Sequence, residues 1–234
     1  MNIIDIALLL IIGVSVIFAV YRGFLASLLG TAACLLSLAL ALVAGPKLAG
    51  TLEQNQGVTD LLTTYTDAGS LIGDASLAQT PVIAISTDTL DNILKSVPLP
   101  AVVQDLLRQN IRENAFQSRG IYTVSQYLTT TIISVLLNVL SFLLCFFLFC
   151  LAFHILINLV GHVFYFPVLR HLDGLAAAFM GLVRGAVIVS VILILIPLVR
   201  TAIPFDLVQD YIDGSKLYPV LYNEKLLLQV IGGG

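Results

Sequence analysis

Arg184 stands inside an apolar run that opens at Leu172-Asp173-Gly174-Leu175-Ala176-Ala177 and continues through Gly181 and Gly185. An arginine at the centre of a membrane helix costs on the order of 3 kcal/mol on insertion scales, so it normally faces a partner, a cavity or the headgroups. Its chemistry there is anion attraction or hydrogen bonding to a neighbouring helix, because the guanidinium stays charged and only donates. Asp173 lies eleven residues earlier. That spacing gives roughly 20° of net rotation and about 16 Å of rise, so the two share a face but cannot touch. Ala177, Gly181 and Gly185 recur at every fourth position beside Arg184, a spacing that leaves a shallow groove for close approach of another helix. Asp5 and Arg22 bracket the first apolar run, and Gly23 follows Arg22 directly. Helix packing or gating is the role these positions suggest.

Other chemistry is thinly represented. The chain contains no phosphate loop and no Gly-x-Ser-x-Gly nucleophile motif. His154, His162 and His171 follow one another without nearby carboxylates or usable thiols, which makes them a weak ligand set. Cys34, Cys145 and Cys150 all fall in apolar runs and read as small buried hydrophobes. The expectation is therefore no catalytic residue, no cofactor, no metal and no enzymatic activity.

The elements that must position these residues are membrane spans. Of 234 residues, 59% are hydrophobic and 11% charged, with a mean hydropathy of +1.02, far from the soluble mix. A formal net charge of −3 provides no basic surface for nucleic acid. Near the amino end Asp5 sits where a secretory signal would carry positive charge, so this run reads as a retained span.

Four spans are expected, at about 3–20, 24–44, 130–160 and 174–199, within one membrane domain covering 1–234. Tyr21-Arg22-Gly23 leaves room only for a very tight reversal between the first two, and Gly23 permits the backbone conformation such a turn requires. Gly45-Pro46-Lys47 is expected to end the second span. The third is longer than a bilayer requires and must tilt or protrude. Its polar residues Asn138, His154 and Asn158 suit hydrogen bonding between helices. Pro167 stops it, and Asp173 is placed to cap the fourth.

Between residues 51 and 127 the composition turns polar and acidic, which places this segment outside the bilayer. Two amphipathic helices are expected there, one carrying Leu90, Ile93, Leu94 and Val97 and the next carrying Val103, Leu106, Leu107 and Ile111. They would cover the ends of the spans or form a lid or docking surface. After Pro204 the tail, 204–234, reads as two short interfacial helices, Phe205 to Ile212 and Leu217 to Val230, lying on the membrane. Gly232-Gly233-Gly234 is expected to lack fixed structure. The fold class is thus all-α, a multispanning membrane protein with four transmembrane helices in two hairpins and amphipathic extracytoplasmic helices. Arg22 and Arg170 on the short connections mark cytoplasmic turns, so both termini and the 51–127 loop are expected outside.

Asn2-Ile3-Ile4-Asp5 at the first span, Tyr21-Arg22-Gly23-Phe24 at the first turn, and Leu172-Asp173 through Gly181 and Arg184-Gly185 in the last span together resemble the CvpA, or colicin V production protein, family. Where that family tends to carry a basic residue after the aspartate and then a glycine, this chain has Gly174 and Ala177. The resemblance implies a small multispanning protein of the bacterial cytoplasmic (inner) membrane, tied by family name to production of a secreted peptide toxin. It implies no enzyme. One functional expectation is a non-enzymatic assembly or accessory factor in which the groove of Ala177, Gly181 and Gly185 mediates helix contact with further copies of the chain or with other membrane proteins. The alternative is an oligomeric channel or transporter-like conduit in which Arg22 and Arg184 line or gate a path for a small solute or ion. The lipid bilayer is the expected surrounding in either case.

Overall fold

The structure, a computed structural model, describes residues 2–65, 123–161, 173–196 and 214–232, together with 212 and short pieces at 78–81, 89, 92, 104–105 and 107–109. The described residues are almost entirely helical, with one isolated bridge between Pro81 and Thr123. Seven helices can be named: α1 (Ile3–Arg22), α2 (Phe24–Glu53), α3 (Gln56–Tyr65), α4 (Val124–Gly161), α5 (Asp173–Leu193), α6 (Tyr218–Leu221) and α7 (Glu224–Gly232). Of these, α1, α2, α4 and α5 are long and apolar enough to cross a membrane.

Helix α1 starts at a capping box. The Asn2 side chain accepts from the Ile3 N–H at 2.7 Å, and the Asp5 carboxylate accepts the Asn2 backbone N–H at 3.1 Å. It ends at Gly23, the single-residue joint to α2, whose φ of 84° and ψ of 169° lie where a Cβ is not tolerated. Across this joint the Ser27 hydroxyl donates to the Ala19 carbonyl at 2.8 Å, securing the first hairpin at its turn.

The closest pairings cross between the hairpins. Helix α2 packs on α4, α1 packs on α5, and α2 also meets α5. The largest core lies mainly between α2 and α4, where Ala41 faces the buried Val139, Phe142 and Phe146. The buried face of α2 is built of small residues, Ser27, Thr31, Cys34, Ser37, Ala41, Gly45 and Ala49. A Cβ on Gly45 would stand 3.0 Å from the Phe142 Cα, so the two backbones are nearly in contact. Outer faces leave Ile17, Leu159, Leu175 and Phe179 exposed, as lipid-covered helices do.

Several expected boundaries shift. The second span does not stop at Gly45-Pro46-Lys47, since α2 runs through Pro46 to Glu53. Pro46 removes one backbone donor, but the packing of Gly45 against Phe142 and of Ala49 beside Ile133 and Leu137 carries the helix onward. The 51–127 loop is correspondingly shorter at both ends. Residues 51–53 belong to α2, α3 follows, and α4 begins at Val124 instead of 130. The helix expected around Leu90 to Val97 lies almost wholly outside the described residues. From the next one, Leu107 is helical and fully buried, and its carbonyl accepts from the Tyr127 hydroxyl at 3.2 Å. At its far end the fourth span is described as far as residue 196.

The tail differs most from expectation. Instead of one helix from Leu217 to Val230 lying on the membrane, α6 and α7 are separated at Tyr222 and Asn223 and dock on the helix bundle. Asn223 breaks the helix because its side-chain oxygen accepts from the N–H groups of Lys225 and Leu226, starting a new helix. Leu227 and Val230 are buried in the main core, and the Ser190 hydroxyl of α5 donates to the Leu221 carbonyl at 2.9 Å. Residues 205–211 lie outside the described set, and Gly232 closes α7.

Candidate functional site

The stripe of Ala177, Gly181 and Gly185 is filled from within the chain. A Cβ placed on Gly181 would meet the Ala19 Cβ at 2.6 Å and the Ser15 carbonyl and Val16 Cα at 2.8 Å. On Gly185 it would meet the Ile12 Cα and Ser15 Cβ at 3.1 Å. The groove expected to receive another molecule is therefore the seat of α1. Ala177 is fully buried on the same face.

Close approach brings the backbone of each helix within reach of short hydroxyl side chains on the other. The Ser15 hydroxyl donates to the Gly181 carbonyl at 2.8 Å, and Thr31 Oγ1 donates to the Met180 carbonyl at 3.0 Å. Arg184 then joins this seam. Its Nε donates to Ser15 Oγ at 3.2 Å and its Nη2 to the Ser15 carbonyl at 3.3 Å. Nε–H, hydroxyl and Gly181 carbonyl thus form one chain of hydrogen bonds, each polarising the next. The guanidinium is anchored on α1 at the level of Ser15. Its third nitrogen, Nη1, points at Gly30 of α2, where a Cβ would come within 3.1 Å, and it hydrogen-bonds to no described residue.

Arg184 borders a cavity of about 670 Å³. Its floor is Gly30, Ala33 and Cys34 of α2 with Arg184 and Ile188 of α5, and its two walls are α1 and α4. Because α1 and α4 are not packed along their length, the space between them opens sideways past Leu10, Val14, Phe147 and Leu151, all exposed. At one end Arg22 donates to His154 Nε2 at 3.4 Å, so that nitrogen is the acceptor and the ring proton sits on Nδ1. The Arg22 guanidinium also lies 4.6 Å from the Phe18 ring centroid, a cation–π contact. No carboxylate lines the cavity among the described residues. Chemically, it is an apolar crevice carrying a fixed cation halfway along it.

Asp5 belongs to a different place. It is almost fully buried beside the tail, where it accepts from the Ser215 hydroxyl and from the backbone N–H groups of Lys216 and Leu217, both at 3.1 Å. The Ser215 oxygen in turn accepts from the Tyr218 N–H at 3.1 Å, so the carboxylate helps start α6. Asp5 thus caps its own helix and holds the tail, at the opposite end of α1 from Arg22. Asp173 is the first residue of α5, and the side chain expected to cap that helix lies outside the described residues.

The structure therefore gathers Ala177, Gly181, Arg184 and Gly185 at one seam, places Gly23 and Arg22 at the neighbouring turn and leaves Asp5 at the far end. Sequence reasoning missed Ser15, the residue on which Arg184 rests, and Ser215, which meets Asp5. For Ser15 the available signal was the set of hydroxyls within apolar runs, since Ser27 and Thr31 lie one helical turn apart on a single face; Ser215, between Asp213-Gly214 and Lys216, carried no such signal.

Residues 116–225 match a family model described as Colicin V production protein. Over that segment the chain is similar to the colicin V production protein family. No curated protein and no solved structure matches the chain significantly. The family segment contains α5 with Arg184 and its small-residue stripe, all of α4, and the tail through Lys225. Tail residues as far as Lys225, which none of the motifs carrying the resemblance includes, thus fall inside the family match, while Asn2–Asp5 and Tyr21–Phe24 fall outside it. Ser15, Ala19 and Asp5, which complete the seam and the tail clamp, are supplied by the part of the chain before the family segment.

Proposed function

We propose that this chain acts in the bacterial cytoplasmic membrane as a non-enzymatic accessory or assembly factor for production or export of a secreted peptide toxin, with its termini and the 51–127 segment on the outer side. The observation that carries this reading is the colicin V production family match over residues 116–225. Consistent with it, the most distinctive polar group of that segment, Arg184, is held by Ser15 as a fixed binding element. The test is to delete the gene from a bacterium that secretes such a toxin and measure toxin activity in the medium and in the cells. External activity should fall and return with the wild-type gene. Unchanged external and internal toxin on deletion would overturn the reading.

A second reading, a conduit for a small solute or ion completed by further copies of the chain, is favoured by the position of Arg184 on the crevice between α1 and α4. Single cysteines from Ala176 to Ile192, introduced after removal of Cys34, Cys145 and Cys150, would be labelled with a membrane-impermeant thiol reagent. A labelled stripe reaching past Arg184 is the expected result for a conduit, and complete protection at that depth would exclude it.

A further inference from the structure

We propose that the crevice between α1 and α4 is a binding site for a single-chain anionic amphiphile, a long-chain carboxylate, whose head group pairs with Arg184 and whose chain lies along the exposed apolar walls. The proposal concerns the same cavity as the conduit reading and rests on that cavity being occupied. It does not depend on toxin production.

Three observations converge. The first is charge. Among the described residues Arg184 is met only by neutral acceptors of Ser15, its Nη1 is left without a described partner, and the cavity is lined by no described carboxylate. A desolvated guanidinium with spare donors calls for an anion, and two parallel N–H···O bonds to a carboxylate are its preferred geometry. Gly30 leaves room for Nη1 itself beside α2, where a Cβ would come within 3.1 Å.

The second is shape and access. The cavity of about 670 Å³ is of ligand-binding size and is lined almost wholly by apolar side chains around a few polar groups. It opens toward the faces of Leu10, Val14, Phe147 and Leu151, which are exposed in a helix bundle that spans a membrane. A ligand would therefore arrive from the bilayer. A partner helix fits less well, because close helix packing in lipid needs small residues and these walls carry Leu10, Phe18, Phe147 and Leu151.

The third is depth. Gly30, opposite Arg184, lies seven residues beyond the Gly23 turn, which is about 10 Å along the helix. A phospholipid phosphate stays charged and anchored at the interface, whereas a carboxylic acid can be neutral in transit through hydrocarbon and ionise beside a cation.

The test uses the purified full-length chain in lipid nanodiscs, with radiolabelled palmitate as probe and hexadecanol and phosphatidylglycerol as competitors. Wild-type protein should bind one palmitate per chain, displaced by neither competitor. Arg184→Gln should weaken binding about tenfold or more, as expected for loss of a charge-assisted pair. Gly30→Ala serves as the second variant, since it favours the helix while crowding Nη1, and it should also weaken binding at unchanged thermal stability. Absence of palmitate binding by the wild type overturns the proposal, as does equal binding by Arg184→Gln and wild type. Displacement by hexadecanol would show a greasy crevice without anion recognition, and displacement by phosphatidylglycerol would assign the site to a membrane phospholipid. A stoichiometric membrane polypeptide that co-purifies with wild type and is lost in Arg184→Gln would give the crevice to a partner helix. Each of these three results also overturns the proposal. Toxin secretion does not enter the readout, so failure here and failure of the toxin reading are separate results.

Discussion

Gly181→Ala adds one methyl group at the tightest point of the bundle. The new carbon would sit 2.6 Å from the Ala19 Cβ and 2.8 Å from both the Ser15 carbonyl oxygen and the Val16 Cα. Carbon atoms prefer about 3.5–4.0 Å, so α1 and α5 must separate by about 1 Å. Two of the three obstructing atoms are backbone and cannot rotate aside. Overpacking of this kind costs about 1–3 kcal/mol. Separation also stretches the 2.8 Å bond from Ser15 to Gly181 and the two bonds from Arg184 to Ser15, and interhelical hydrogen bonds in membranes average about 0.6 kcal/mol each. The alanine recovers at most about 1 kcal/mol in helix propensity. The net expectation is a loss of about 2 kcal/mol. Reversible unfolding in mixed micelles would measure it, with Gly174→Ala as the control, because a Cβ there meets nothing within 4 Å. If Gly181→Ala is as stable as the control, α1 does not sit in this groove. Should stability hold while self-association drops, the groove faces another molecule.

Asp5→Ala removes the acceptor for Ser215, Lys216 and Leu217. With about 2 kcal/mol lost from charge-assisted bonds, the tail should open and a lysine-specific protease should cut at the exposed Lys216 markedly faster than in wild type; equal cleavage rates would show that the clamp does not hold the tail. Gly23→Ala, at φ 84° and ψ 169°, should cost about 1–3 kcal/mol in the same unfolding assay, and a neutral result would mean the turn is made differently. Ser27→Ala should lose about 0.6 kcal/mol in that assay because its hydroxyl crosses to Ala19; unchanged stability would contradict that assignment.

Apolar run length announced the four spans, and Gly23 announced the joint between the first two, because bilayer thickness and backbone sterics act locally. The end of α2 was hidden for the opposite reason. Pro46 is a local stop signal, and what overrides it is contact with Phe142, a residue almost a hundred positions away. The small-residue stripe on α5 was visible as a groove, but nothing in its spacing says whose backbone fills it. Ser15 passed unnoticed because a lone serine in an apolar run is ordinary until it stands opposite an arginine. Leu227 and Val230 likewise form a legible stripe, yet a stripe serves equally against lipid or protein, and only the docked tail decides between them.

The clamp at Asp5 spans 210 positions of sequence. At about 5–20 residues per second, a ribosome delivers Ser215 roughly 10–40 s after Asp5 has been made. Throughout that interval the first helix carries a carboxylate whose native acceptor role is unfilled, and α1 cannot adopt its final seating with the tail. Completion of the fold therefore waits until Ser215, Lys216 and Leu217 have been made. A chain halted before Ser215 would leave the Asp5 carboxylate without the tail donors that hold it, and the amino end of α1 uncovered.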